Sequence, residues 1–188
     1  MIALIGGGVR CGKSAFALAL ARGLSGPRSR RVFVATAQAF DSEMRERIAA
    51  HRAERTSEFE TLEVPLELPQ ALAQLRADVL VIDCLTLWLS NLLLAEVSER
   101  EIEARVAALA ETLRAAPFHS VLVTNEVGMG IVPDNALARR FRDCAGRAHQ
   151  RFSESSDQIF FGALGCMLRL RPAPVCLVRA EELYVTPD

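Results

Sequence analysis

Five short apolar runs constrain this chain more than any other feature: "MIALIGG" at residues 1–7, "RVFVATA" at 31–37, "DVLVIDCL" at 78–85, "SVLVTNEV" at 120–127 and "DQIFFGAL" at 157–164. They are apolar along their length rather than alternating, the pattern of strands buried on both faces. Helical segments lie between them. Residues 13–24, "KSAFALALARGL", are apolar on most faces, with Gly23 near the end. Asp41 can cap a helix over 42–55, with Glu43 favourable in its first turn. "LPQALAQLR" carries a proline early, "TLWLSNLLLAEV" follows the third run directly, and "SEREIEARVAALAETLRAA" is plainly amphipathic. Residues 134–153 read as a further helix and "FETLEV" as a short strand. Strands alternating with helices predict an α/β fold with a mainly parallel sheet flanked by helices. The pattern places residues 1–171 in one domain and leaves 172–188 as a proline-punctuated tail with no assigned role.

Composition narrows the function classes. The 188 residues are 51% hydrophobic and carry a net charge of -1, which gives no electrostatic case for nucleic acid or an anionic membrane. The most apolar stretch, 79–95, is interrupted by Asp83, Ser90 and Asn91, so it reads as a strand running into a helix, not a membrane span. Five cysteines (Cys11, Cys84, Cys144, Cys166, Cys176) lie far apart without a CxxC pair. That argues against zinc and a disulfide framework and for a reducing compartment. No basic segment leads into a long apolar run at the N-terminus, so the expectation is a cytoplasmic protein.

The first run ends in a motif. Gly7, Gly8, Val9, Arg10, Cys11, Gly12, Lys13 and Ser14 match G-x-x-x-x-G-K-[ST] between a predicted strand and a predicted helix. Glycines let backbone N–H groups converge on phosphate oxygens, and the helix N-terminus adds partial positive charge. Ser14 is placed to ligate Mg²⁺. Lys13 is the only lysine in a chain whose other 21 basic residues are arginine. A compact ammonium on a flexible stem suits the β- and γ-phosphates, where a planar guanidinium is bulkier.

Other chemistry-bearing residues sit at strand ends. Asp83 closes "VLVID" on the ligand side of an open sheet, where it can hold Mg²⁺ through water or cap the helix that follows. Asn125 and Glu126 end the next run, in a site or in a plain turn. Met44, Ile48 and His51 share one helical face, which by itself favours a packed histidine over a chemical one. His119 precedes a strand and His149 lies on a long polar helix, both weaker candidates.

Together, "GGGVRCGKSAFA", "VATAQAFDSEMRERIAAHRAER", "VIDCLTLWLSNLL" and "TNEVGMGIVPDNALARRFRDCAGRAHQRFS" resemble the bifunctional adenosylcobinamide kinase / adenosylcobinamide-phosphate guanylyltransferase family of cobalamin assembly, over about residues 2–171. The resemblance implies a RecA-like P-loop fold and a homotrimer. It implies that His51 accepts GMP from GTP as a phosphoramidate. It also implies nucleotide contacts at Ala35, Thr36, Ala37, Arg52, Ala53, Glu54, Arg55, Glu63 and Asp83, with Mg²⁺ at Ser14 and Asp83, ATP and GTP as substrates, and a corrinoid acceptor. Cys11 departs from the serine common in the family and puts a thiol in the loop beside the phosphates. Two rival readings are a monofunctional P-loop kinase of a small alcohol and a nucleotide-dependent switch module.

Overall fold

The structure, a computed structural model, describes residues 1–38 and 58–178. The expected helix over 42–55 lies outside them. In chain order the elements are β1 (Ile2–Gly7), α1 (Lys13–Gly23), β2 (Arg31–Ala35), β3 (Glu60–Glu63), α2 (Leu68–Ala73), β4 (Val79–Asp83), α3 (Leu85–Leu94), α4 (Glu99–Ala115), β5 (His119–Val123), α5 (Ala136–Ser155), β6 (Gln158–Ala163), β7 (Cys166–Arg171) and β8 (Cys176–Val178). The strands form one sheet in the order β3-β2-β4-β5-β1-β6-β7-β8. The first six are mutually parallel, and β7 and β8 are added antiparallel.

Alternate residues of the apolar runs enter two cores. Leu4, Val32, Val34, Leu80, Ile82 and Leu122 face α2, α3, α4 and α5. Ala3, Ile5, Phe33, Val81, Val121, Val123 and Phe160 face α1. The two-sided burial explains why these strands lack a polar alternation. Helix α3 is almost wholly enclosed, with Leu85, Trp88, Leu89 and Leu92 fully buried. The Trp88 indole donates to the Leu66 carbonyl at 2.7 Å, which satisfies its one polar atom.

Helices α4 and α5 begin on side-chain caps. Ser98 Oγ accepts from the Glu101 N–H at 3.3 Å, and Asn135 Oδ1 accepts from the Ala138 N–H at 2.7 Å. The two helices are bridged by Arg140–Glu99, Arg147–Glu99 and Arg147–Glu103. The two arginines hold the Glu99 carboxyl below its usual range. Such exposed pairs add little stability beside the apolar stripe Ile102, Val106, Leu109 and Leu113 beneath them.

The sheet continues past the expected end of the domain. Strands β7 and β8 are absent from the sequence reading, and the boundary expected at residue 171 falls between β7 and its partner β8. The turn into β7 places Leu164 and Gly165 at φ 53° and 76°, as a two-residue primed hairpin turn requires. Leucine there gives none of the Asn-Gly or Asp-Gly signal by which such turns are recognised in sequence.

Candidate active site

The register of the sheet lines up residues that the sequence scatters. Glu63 pairs with Ala35, Ala35 with Asp83, Asp83 with Val123, and Val123 with Ile5. These five positions form one row across β3, β2, β4, β5 and β1 at their carboxyl ends. At ~4.8 Å between strands, Ala35 and Asp83 are neighbours and Asp83 lies roughly 10 Å from the P-loop strand. Ligands of open parallel sheets bind along this edge.

Residues 7–14 leave β1 here and turn into α1. Arg10 and Gly12 adopt φ 56° and 92°, so the loop curls and presents the first turn of α1 end-on. The Lys13 side chain is only 7% exposed, and its Nζ donates to the Gly8 carbonyl across the loop at 2.8 Å. Ser14 follows it, partly exposed, while Gly8, Val9, Arg10 and Gly12 are exposed. Gly7 has no room for a Cβ, which would lie 2.5 Å from the Gly162 carbonyl oxygen and 2.9 Å from Cys11 Sγ.

Cys11 departs from expectation. Its thiol is buried and packs inward, into the gap left by the paired glycines Gly7 and Gly162 on β1 and β6. The side chain lies on the sheet side of the loop instead of at its open mouth. The loop closes down on two glycines because only they leave room for sulfur.

Thr36 is fully buried and its hydroxyl is committed elsewhere: it donates to the Cys84 carbonyl at 2.7 Å and accepts from the Cys84 N–H at 2.9 Å. The Asn91 amide bonds the Thr36 and Pro65 carbonyls at 2.7 and 3.0 Å. The Thr36–Cys84 pair ties the exits of β2 and β4 together, and Asn91 joins the exit of β2 to that of β3. Ala35 and Ala37 flank Thr36 partly exposed, Glu63 is exposed, and Asp83 is partly exposed at its strand end. The Cys84 thiol is pushed up to about 11 by burial and then by the Asp83 carboxylate, with Lys13 among the groups acting in the opposite direction. The catalytic candidate His51 and the contact candidates Arg52, Ala53, Glu54 and Arg55 lie outside the described residues.

The sequence reading named Asn125 and Glu126, in a site or in a plain turn, and ranked His149 lower; it did not show that they gather past β5 against α3 and α5. The Thr86 hydroxyl meets the Asn125 amide at 3.0 Å. Glu126 donates its N–H to the Gly7 carbonyl at 3.0 Å, so the chain leaving β5 is bonded to the start of the phosphate loop. His149 is not on a solvated face: its side chain is 16% exposed, with Nε2 2.7 Å from Thr124 Oγ1 and Nδ1 3.6 Å from Glu126 Oε2. Burial lowers its pKa from the ordinary 6.5, and Glu126 opposes that shift. The available signal was the stripe Ala145, Ala148, Phe152, which His149 adjoins.

Exposed apolar residues surround the same edge. Val9 in the phosphate loop, Met129, Ile131 and Val132 after β5, and Leu164 after β6 are each more than 60% exposed. A cavity of about 560 Å³ lined by Arg22, Arg28, Arg31 and Glu58 lies at the opposite end of the sheet. There Arg22 is bonded to Glu58, and Arg31 to Ser25 and the Gly26 carbonyl.

The edge combines a phosphate loop, an acidic strand end two strands away and a row of further contact positions. The known proteins that resemble this chain agree with that reading. The sequence signature of the family described as "Cobinamide kinase / cobinamide phosphate guanyltransferase" matches residues 3–170. The "Bifunctional adenosylcobalamin biosynthesis protein CobP" of Pseudomonas aeruginosa is 42% identical over 179 residues, covering 92% of this chain and 98% of that protein. The "Bifunctional adenosylcobalamin biosynthesis protein CobU" of Salmonella typhimurium is 35% identical over 185 residues, covering 91% and 100%. Among solved structures, the flagellar accessory protein FlaH from Methanocaldococcus jannaschii matches with a TM-score of 0.50 at 12% identity, over 100% of this chain and 81% of that one, a likeness of fold alone. With one strand inserted between the phosphate-loop strand and the Asp83 strand, the architecture is the α/β, RecA-like class expected from the sequence. This chain belongs to the cobinamide kinase / cobinamide phosphate guanyltransferase family.

Proposed function

We propose that the protein performs both reactions for which its family is named: phosphorylation of adenosylcobinamide by a nucleoside triphosphate, then transfer of GMP from GTP to give adenosylcobinamide-GDP. The observation that carries this is the family match over residues 3–170, in register with a formed phosphate loop. In the first reaction Lys13 and the N–H groups of residues 7–14 neutralise charge on the phosphates as the γ-phosphoryl group moves to the acceptor hydroxyl. The exposed apolar residues Val9, Met129, Ile131 and Val132 give the edge an apolar rim against which a corrinoid acceptor can rest.

Mg²⁺ fits the edge. Ser14 in the first turn of α1 and Asp83 at the end of β4 offer hard oxygen atoms, both partly exposed. Bound there with the nucleotide, the ion would supply further neutralisation of phosphate charge.

In the second reaction His51 attacks the α-phosphorus of GTP and pyrophosphate leaves. The acceptor phosphate then displaces the histidine. A neutral imidazole near pH 7 suits this role, with an unperturbed pKa of about 6.5. A homotrimer and a cytoplasmic location belong to the same reading. Among the described residues no helix is long and apolar enough to cross a membrane. The test is incubation with GTP labelled at the α-phosphorus. Covalent label that is stable in alkali, lost in acid and chased by adenosylcobinamide phosphate supports the reading. An enzyme that phosphorylates adenosylcobinamide but takes no label is the monofunctional kinase instead.

A further inference from the structure

Phosphoryl transfer to an alcohol leaves a proton to be accounted for. Among the described residues, the edge offers few groups to take it. Lys13 is a cation turned onto the Gly8 carbonyl, and Asp83 is assigned to the metal. Glu63 stands four strands from β1 in the row, roughly 19 Å away. Glu126 is differently placed. Strand β5 lies between β1 and β4, so its exit emerges between the phosphate loop and Asp83. The main chain of Glu126 is fixed there by its 3.0 Å bond to the Gly7 carbonyl.

Its carboxylate is also held, one oxygen at a time. Oε1 accepts from the Gly128 N–H, and Oε2 faces His149 Nδ1 at 3.6 Å. That second separation is longer than a hydrogen bond, so Oε2 keeps lone pairs for another proton. His149 is itself anchored by Thr124 at 2.7 Å. The tautomer that serves Glu126 is the one in which the Thr124 hydroxyl donates to Nε2 and the neutral ring carries its hydrogen on Nδ1. Thr124 in turn donates its N–H to the Ile5 carbonyl at 2.9 Å, on the strand that feeds the phosphate loop. Three side chains from β5's exit and α5 thus converge beside the cradle, and neither of the two reactions as described above uses them.

We propose that Glu126 is the proton acceptor of the kinase step and that His149 is its positioning residue. The inference rests on the kinase reading of the site. As the acceptor oxygen bonds to the γ-phosphorus, the bond from that phosphorus to the bridging oxygen breaks. The nucleoside diphosphate leaves with the electron pair. The hydroxyl proton passes to Glu126 Oε2, and Glu126 returns it to solvent before the next turnover. The second reaction has no such need at its acceptor, because the attacking phosphate oxygen is already an anion. Glu126 therefore serves one of the two chemistries selectively.

Glu126→Gln keeps the size and the acceptor for the Gly128 N–H but cannot take up a proton. Its kinase kcat should fall roughly 10²- to 10⁴-fold, the range for loss of a general base, with KM for the triphosphate little changed. Labelling by α-labelled GTP and GMP transfer to supplied adenosylcobinamide phosphate should stay within about threefold of wild type. Glu126→Ala should show the same split and recover part of its kinase kcat when formate is added, which a structural defect would not. His149→Gln should lower kinase kcat by about tenfold at constant KM and leave labelling intact. Kinase turnover near wild type in Glu126→Gln would overturn the assignment, and so would parallel loss of both activities. Wild-type protein without kinase activity would instead overturn the reading on which the assignment rests.

Discussion

Lys13 is enclosed by the loop it serves, with its ammonium on a carbonyl of that loop and almost none of its stem in water. Arginine keeps the charge but needs space for a planar fork. Lys13→Arg should therefore cut both kinase turnover and guanylyl labelling roughly 100-fold or more, the cost of a lost transition-state donor. Steady-state rates for the two reactions check this, and near-wild-type rates would remove the shape argument. A second prediction concerns the glycine opposite. A Cβ on Gly162 would lie 2.7 Å from Cys11 Sγ and 3.2 Å from Met167 Cε. Gly162→Ala should destabilise by about 1–3 kcal/mol, as overpacking does. Adding Cys11→Ala should recover most of that loss in urea unfolding, because it removes the tighter contact; simple additivity would show that sulfur is not the obstacle. The phosphate loop could be read from the sequence because all its residues are contiguous. The direction of the Cys11 thiol could not, since the glycine that receives it is 151 positions away on β6.

At the level of elements, the strands feeding the site were legible because burial on both faces leaves an uninterrupted apolar signature, as in Val79–Ile82 and Val121–Val123. The antiparallel extension was not. Cys166–Arg171 alternates weakly, and its turn uses Leu164 at positive φ. The face of α5 that carries His149 was obscured by charge, because its buried stripe consists mainly of small residues, Ala145 and Ala148, with Cys144 and Phe152. This helix yields two predictions. Asn135→Ala removes the side chain that accepts from the Ala138 N–H and should cost about 1 kcal/mol in denaturant unfolding. His149 makes the protein pH-sensitive, since burial sets its folded pKa below the ordinary 6.5. Above that value both states are neutral there. As pH falls through it, the unfolded chain takes the proton first, and stability drops until the folded value is passed. Urea midpoints should fall between about pH 7.5 and 5.5, and fall less in His149→Gln. An equal fall in both proteins would place the sensitivity elsewhere.

Across the whole molecule, two reactions share one nucleotide edge but not all of its groups. His51→Ala should abolish labelling by α-labelled GTP while leaving phosphorylation of adenosylcobinamide within about tenfold of wild type, because γ-phosphoryl transfer to a hydroxyl needs no protein nucleophile. Product analysis with adenosylcobinamide as the sole corrinoid would show the phosphate accumulating. Label persisting in the variant would move the acceptor role to another residue. The sheet order has one more consequence. The strand that launches the phosphate loop is made before the other described strands of its sheet, yet its neighbours are β5 and β6, with Ile2 opposite Ser120 and Ala3 opposite Gln158. On a ribosome adding about 5–20 residues per second, that segment must wait roughly 10–30 s for both partners to emerge. A nascent chain stopped before β6 would hold every residue of the loop and still lack the glycine that lets it close. The capacity to bind a triphosphate thus arises only once β6 has been made, and translation products that stop before it should neither capture nucleotide nor be rescued by it.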